Sequence, residues 1–82
     1  MKPIDIVPKP RPHYRIRSRM YELGVDASYM AKRLGMSDAS YSFRMNARLP
    51  WRLNEMYDVM DILGIPSSEM NEYFPDMREN KQ

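Results

Sequence analysis

The 82-residue sequence predicts an all-α domain of five short helices around one core, and three observations lead there. Apolar residues recur at spacings of three and four from Tyr14 onward, the period of a helix with one buried face. Each of the three glycines follows directly on such a stretch, where a helix must stop. No segment shows the strict alternation of a half-buried strand. A chain this short buries only about 60 to 65 per cent of its unfolded surface, so one core is all it holds.

Residues 1–13 contain Pro3, Pro8, Pro10 and Pro12 with Lys2, Lys9 and Arg11, a composition that favours extended backbone and offers too few apolar groups to pack. They read as a flexible basic arm. The first helix starts at Tyr14, with Ile16, Met20 and Leu23 on one face and Arg15, Arg17 and Arg19 turned outward, and stops at Gly24. Asp26 is placed to cap the second helix, where Met30, Ala31 and Leu34 line one face until Gly35. Ser37 caps the third, which carries Tyr41 and Met45 on one face.

After an irregular stretch from Ala47 to Trp51 comes the strongest amphipathic pattern, Leu53, Met56, Tyr57, Met60 and Leu63, with Asn54, Glu55, Asp58 and Asp61 on the wet side and Gly64 as its stop. Pro66, Ser67 and Ser68 open a short fifth helix bearing Met70, Tyr73 and Phe74, and Pro75 ends it. Residues 76–82 read as a polar tail. The folded domain is therefore expected over 14–75.

Composition excludes several classes of function. Without cysteine there is neither a disulfide nor a thiolate metal site, as expected of a protein from a reducing cytosol. The opening Met1-Lys2-Pro3-Ile4-Asp5 breaks the apolar run a signal peptide needs, and no stretch approaches the roughly 20 apolar residues of a membrane span. The expected location is cytoplasmic, with no membrane partner. Catalysis finds no base or nucleophile in a recognisable setting: the sole histidine, His13, lies in the arm, and no phosphate-cradling glycine loop exists. The sequence is read as that of a non-enzyme with no cofactor, metal or small-molecule ligand.

Charge is distributed unevenly. Residues 1–52 hold eleven Lys or Arg against four Asp or Glu, whereas residues 53–82 hold two against seven. One end suits an anionic partner. The nine methionines recur at interior-type helix positions, which indicates an adaptable core rather than an exposed binding face.

Only Gly35 and Met36 separate the second helix from the cap of the third. Two helices joined by so short a glycine-containing turn must cross steeply, the geometry of a helix-turn-helix. In that geometry Ala31 must be small because the third helix crosses close to it, and Met30, Leu34, Met36 and Tyr41 fill the wedge.

These residues resemble the phage repressor and Cro-type, or XRE-like, helix-turn-helix family. The similarity runs from about Ile16 to Phe74, through Leu23-Gly24-Val25, Met30-Ala31-Lys32-Arg33-Leu34-Gly35-Met36-Ser37, Arg44-Met45-Asn46 and Ile62-Leu63-Gly64-Ile65. The second half, with Trp51-Arg52-Leu53-Asn54-Glu55-Met56, looks like small regulators of Gram-positive phages and mobile elements. The resemblance implies a lambda-repressor-like domain that regulates transcription by binding double-stranded operator DNA, its third helix in the major groove. Carried onto this chain, it places Asp38, Ala39, Ser42 and Phe43 at base edges and Asn46 at a phosphate, with Ser37, Arg44 and Arg48 completing the expected contact set.

Three positions depart from the family pattern. Ala27 stands where glutamine often contacts a phosphate, Arg44 replaces a usually apolar residue so that Met45 must do the packing, and Asp38 is acidic where glutamine or a cation is commoner. An aspartate there can still accept from a cytosine amino group. Ser37 and Asp38 equally suit helix capping; Phe43 has a core alternative, but Tyr41 and Met45 already claim the inward face, which favours the groove; Tyr29 and Tyr57 read as half-buried packing residues. A homodimer is expected on a two-fold site, paired through Met70, Tyr73 and Phe74 with Met77 beside them. The rival expectation is a helical protein-interaction module, antitoxin-like or a phage-encoded inhibitor, which the acidic second half would suit.

Overall fold

A computed structural model of the chain describes residues 11–75, and over that span the architecture is all-helical. Helix α1 covers Tyr14–Leu23, α2 Ala27–Leu34, α3 Asp38–Met45 and α4 Leu53–Leu63; a single 3₁₀ turn, Ser67–Glu69, leads into the four-residue α5, Met70–Tyr73. Among the described residues there is no strand. No helix there is long and apolar enough to cross a membrane.

The helix ends follow from side chains that satisfy otherwise unpaired backbone groups. The Asp26 carboxylate accepts from the Tyr29 amide at 2.9 Å, and the Ser37 hydroxyl from the Ser40 amide at 3.0 Å. Gly35, with φ of 73°, takes the left-handed conformation that lets its amide and that of Met36 turn back onto α2 carbonyls, which a side chain would strain. The chain re-enters helix three residues later, so α2 and α3 are held against each other by a very short link.

The core consists of Ile16 from α1, Met30 and Ala31 from α2, Tyr41 and Met45 from α3, Met56, Val59, Met60 and Leu63 from α4, and Trp51, Ile65 and Phe74 from the segments between and after the helices. α4 packs against α1, α2 and α5. Its buried face is centred differently from the sequence expectation: Val59 lies at its heart, whereas Leu53 is 56% exposed and Tyr57 49%. At about 100° per residue, a face holding Met56, Val59, Met60 and Leu63 leaves Leu53 and Tyr57 on its rim. Leu23, expected on the inward face of α1, is likewise 44% exposed.

The boundary of the expected arm also moves. His13 is buried, adopts a left-handed conformation ahead of α1, and packs its ring 5.6 Å from that of Phe74 and 6.4 Å from that of Trp51. Trp51 in turn meets Tyr41 edge-on at 5.9 Å and Phe74 at 6.0 Å. Residues 11–13 are thus part of the domain, and the irregular stretch before α4 delivers a core tryptophan. The expectations for an arm over 1–10, for the tail 76–82 and for Met77 lie outside the described residues.

Candidate nucleic-acid interface

α3 is amphipathic, with Tyr41 and Met45 buried and Asp38, Ala39, Ser42 and Phe43 exposed. Burial of the Tyr41 ring pushes its pKa up to about 12, so the hydroxyl is neutral and donates to the Met20 sulfur at 3.1 Å. Phe43, free to be core on sequence grounds, is 43% exposed because Tyr41 and Met45 occupy the inward face. Ser37 caps the helix. Asp38 sits in the first turn, where a carboxylate meets the positive end of the helix dipole, and accepts from the Ser28 hydroxyl at 3.0 Å, tying α3 to α2.

Arg44 does not belong with the outward set. Its Nε lies 3.1 Å from Glu55 Oε1 and its Nη2 3.4 Å from Oε2, with side chains only 15% and 17% exposed, and Nη1 donates to the carbonyl and hydroxyl of Ser40. The residue expected at a phosphate thus forms an internal ion pair joining α3 to the start of α4. Glu55 also accepts from the Arg52 amide at 2.9 Å, closing the first turn of α4. Partial burial pushes its carboxyl up, but the Arg52 amide and the Arg44 guanidinium outweigh this and hold it below the usual range.

Asn46, expected at a phosphate, is exposed and its side chain makes hydrogen bonds within the chain. Its Oδ1 accepts from Arg17 Nη2 at 3.0 Å, and its Nδ2 donates to the Ser42 carbonyl at 2.9 Å. Arg17 and Arg19, expected to face outward, reach carbonyls at helix ends instead: Arg17 Nη2 donates to Met45 O at 2.9 Å and Arg19 Nε to Leu63 O at 3.0 Å. The last carbonyls of a helix lack intrahelical partners, so a guanidinium from a neighbouring helix is well matched to them.

Ala47 follows with φ of 62°, and the tight turn brings the Arg48 amide to the Phe43 carbonyl at 2.7 Å. Arg48 is exposed beside α3 and has no acidic partner among the described residues. Ala39, Ser42, Phe43 and Arg48 thus share one side of the molecule that the core does not use.

Of the residues expected to pair two copies, Met70 and Tyr73 are half-buried at the surface, but Phe74 is only 2% exposed inside the protomer. Its ring is held by His13 and Trp51, which removes it from any surface. The residues that sequence reasoning missed are Arg17, Trp51 and Glu55. Glu55 alone carried a signal, standing three residues after the residue that caps α4. Among the described residues no group of three or more His, Asp or Glu side chains is placed to hold a metal.

Comparison with known proteins gives one match. No curated protein and no solved structure matches the chain. Residues 15–77 match a family, and the chain belongs to it: the family described as a protein of unknown function (DUF739).

Proposed function

We propose that the protein is a non-catalytic, sequence-specific DNA-binding regulator of the phage repressor or Cro type, with α2 and α3 forming its helix-turn-helix and α3 entering the major groove. The observation that carries this reading is the outer face of α3, where Ala39, Ser42 and Phe43 are exposed without a core role and Arg48 stands free beside them. Ala39 and Phe43 suit the thymine methyl, and Ser42 suits either purine or pyrimidine edges. Asp38 accepts from Ser28 through Oδ2, which leaves Oδ1 for a cytosine amino group. Arg48 supplies a phosphate contact that fixes register without reading sequence.

One eight-residue helix reads few base pairs, so the protein acts as a homodimer on a two-fold site, with Met70 and Tyr73 at the pairing surface and the cytoplasm as its compartment. Selection from random duplex DNA followed by sequencing tests the reading. A short palindrome is expected. Recovery of unenriched sequence from a folded protein refutes it.

One observation favours a protein partner instead: Phe43, Leu49, Leu53 and Tyr57 are large apolar side chains left exposed. The two readings separate on salt, since duplex binding weakens steeply between low and moderate salt and an apolar interface barely changes.

A further inference from the structure

Between α1, the start of α2 and α3 runs a groove of about 390 Å³, with Arg11, Arg17, Ser42 and Asn46 on its polar side and Met20 and Met45 in its apolar lining. Among the described residues no aspartate or glutamate lines it. The carboxylates adjoining the lining in sequence, those of Glu22 and Asp26, are engaged with Arg19 Nη1 at 3.2 Å and with the Tyr29 amide. Two guanidinium groups therefore share a concave site with no counter-charge among the described residues.

Arg17 is held rigidly there. Its Nε donates to Pro12 O at 3.1 Å and its Nη2 to Met45 O and Asn46 Oδ1, so the guanidinium plane is fixed by three acceptors. Nη1 donates to no acceptor among the described residues, and its two hydrogens are left over. The Ser42 hydroxyl accepts from Asn46 Nδ2 at 3.3 Å and keeps its own hydrogen for another acceptor. Partial burial and, after it, the charge of Arg11 lower the Arg17 pKa, while Tyr41 opposes them. A bound anion relieves that repulsion.

We infer that this groove binds one tetrahedral oxyanion of the phosphate class, held by Arg17 Nη1, Arg11 and the Ser42 hydroxyl. Fixed guanidinium N–H groups match such oxygens in geometry as well as charge. Ser42 belongs both to the groove and to the outer face of α3. The source of the phosphate therefore rests on the DNA-binding reading: a duplex lying on α3 brings a backbone phosphodiester to the groove, and free inorganic phosphate offers the same chemistry.

The test has two arms on the full chain. In the first, isotope-labelled protein is titrated with inorganic phosphate against sodium chloride at equal ionic strength. Saturable shifts confined to the Ser42, Asn46 and Arg17 Nε–H signals are expected with phosphate alone. They should vanish in Arg11→Ala, an exposed position whose replacement should leave the helical fold intact by circular dichroism; Arg17→Lys, which keeps the charge but loses the fork, should weaken them. Shifts identical in chloride overturn the site.

In the second arm, Arg11→Ala should lower affinity for random duplex DNA and flatten the slope of log K against log salt by about one unit. Phosphate shifts in a protein that binds no duplex uphold the groove and overturn the DNA reading. Duplex binding with an unaltered slope and no phosphate shifts overturns the groove and leaves the DNA reading standing.

Discussion

Replacing Glu55 by glutamine tests how α3 is fixed to the rest of the domain. The substitution keeps shape and an acceptor for the Arg52 amide but removes the charge facing Arg44 Nε at 3.1 Å and Nη2 at 3.4 Å. A charge-assisted hydrogen bond contributes roughly 1.5 to 3 kcal/mol, whereas a fully exposed ion pair contributes about 0 to 1. With both side chains mostly but not wholly covered, a loss of about 1 to 2 kcal/mol is expected. For a domain of 60 to 100 residues that lowers the melting temperature by about 5 to 15 °C.

The double variant Arg44→Met, Glu55→Gln should recover part of the loss, because no cation is then left partly buried without its partner. The pH profile gives an independent check. The Glu55 pKa is depressed on folding below its ordinary value of 4.5, so the unfolded chain binds the proton more readily. The ion pair's stabilisation is therefore fully present above about pH 4.5 and disappears as pH falls through the folded pKa. Thermal melts of both proteins from pH 7 to pH 3 should converge at the acid end. Identical melting temperatures at pH 7, or parallel profiles throughout, would falsify the assignment of Arg44 and Glu55 as a stabilising pair.

Four further outcomes follow from the geometry. Ala31→Trp should destabilise by about 1 to 3 kcal/mol or more in chemical denaturation, since Ala31 is buried where α2 packs on α3; unchanged stability places it at the surface. Ala47→Gly should raise stability by about 0.5 to 1 kcal/mol, because relief of a left-handed alanine exceeds the entropy glycine loses, and a lowered melting temperature contradicts this. Phe74→Ala should cost about 3 to 5 kcal/mol through loss of core packing, and sedimentation should show unfolding rather than dissociation into folded subunits. Arg48→Ala should leave the fold intact, weaken binding to all duplexes alike and reduce the salt slope by about one; altered sequence preference would make Arg48 a base reader.

Local signals in the sequence located the helices well. Asp26, Ser37 and the glycines act through backbone groups within a few residues of themselves, so their effect is readable without tertiary knowledge. The inward positions Ile16, Met30, Ala31, Tyr41 and Met45 follow from helical period alone. The destinations of the arginines do not. A side chain as long as that of Arg17, Arg19 or Arg44 leaves its helix face and bonds a group 11 to 44 residues away, which spacing along one helix cannot show.

The aromatic cluster is hidden for the same reason. His13, Trp51 and Phe74 lie at or beyond helix ends, where no periodicity marks a residue as buried, and they meet only once α1, α3 and α4 are assembled. As a result, of the residues singled out in the sequence, Ala39, Ser42, Phe43 and Arg48 form an open surface, Arg44 is engaged with Glu55, Asn46 is exposed but bonded to Arg17, and Phe74 lies in the core.

The most direct measurement is an amide shift map of isotope-labelled protein titrated with duplex DNA at low salt. The account predicts the largest changes at Ala39, Ser42, Phe43 and Arg48, fading as salt is raised, with Leu53 and Tyr57 undisturbed. Changes centred on Leu53 and Tyr57, or none at any duplex concentration, would contradict it.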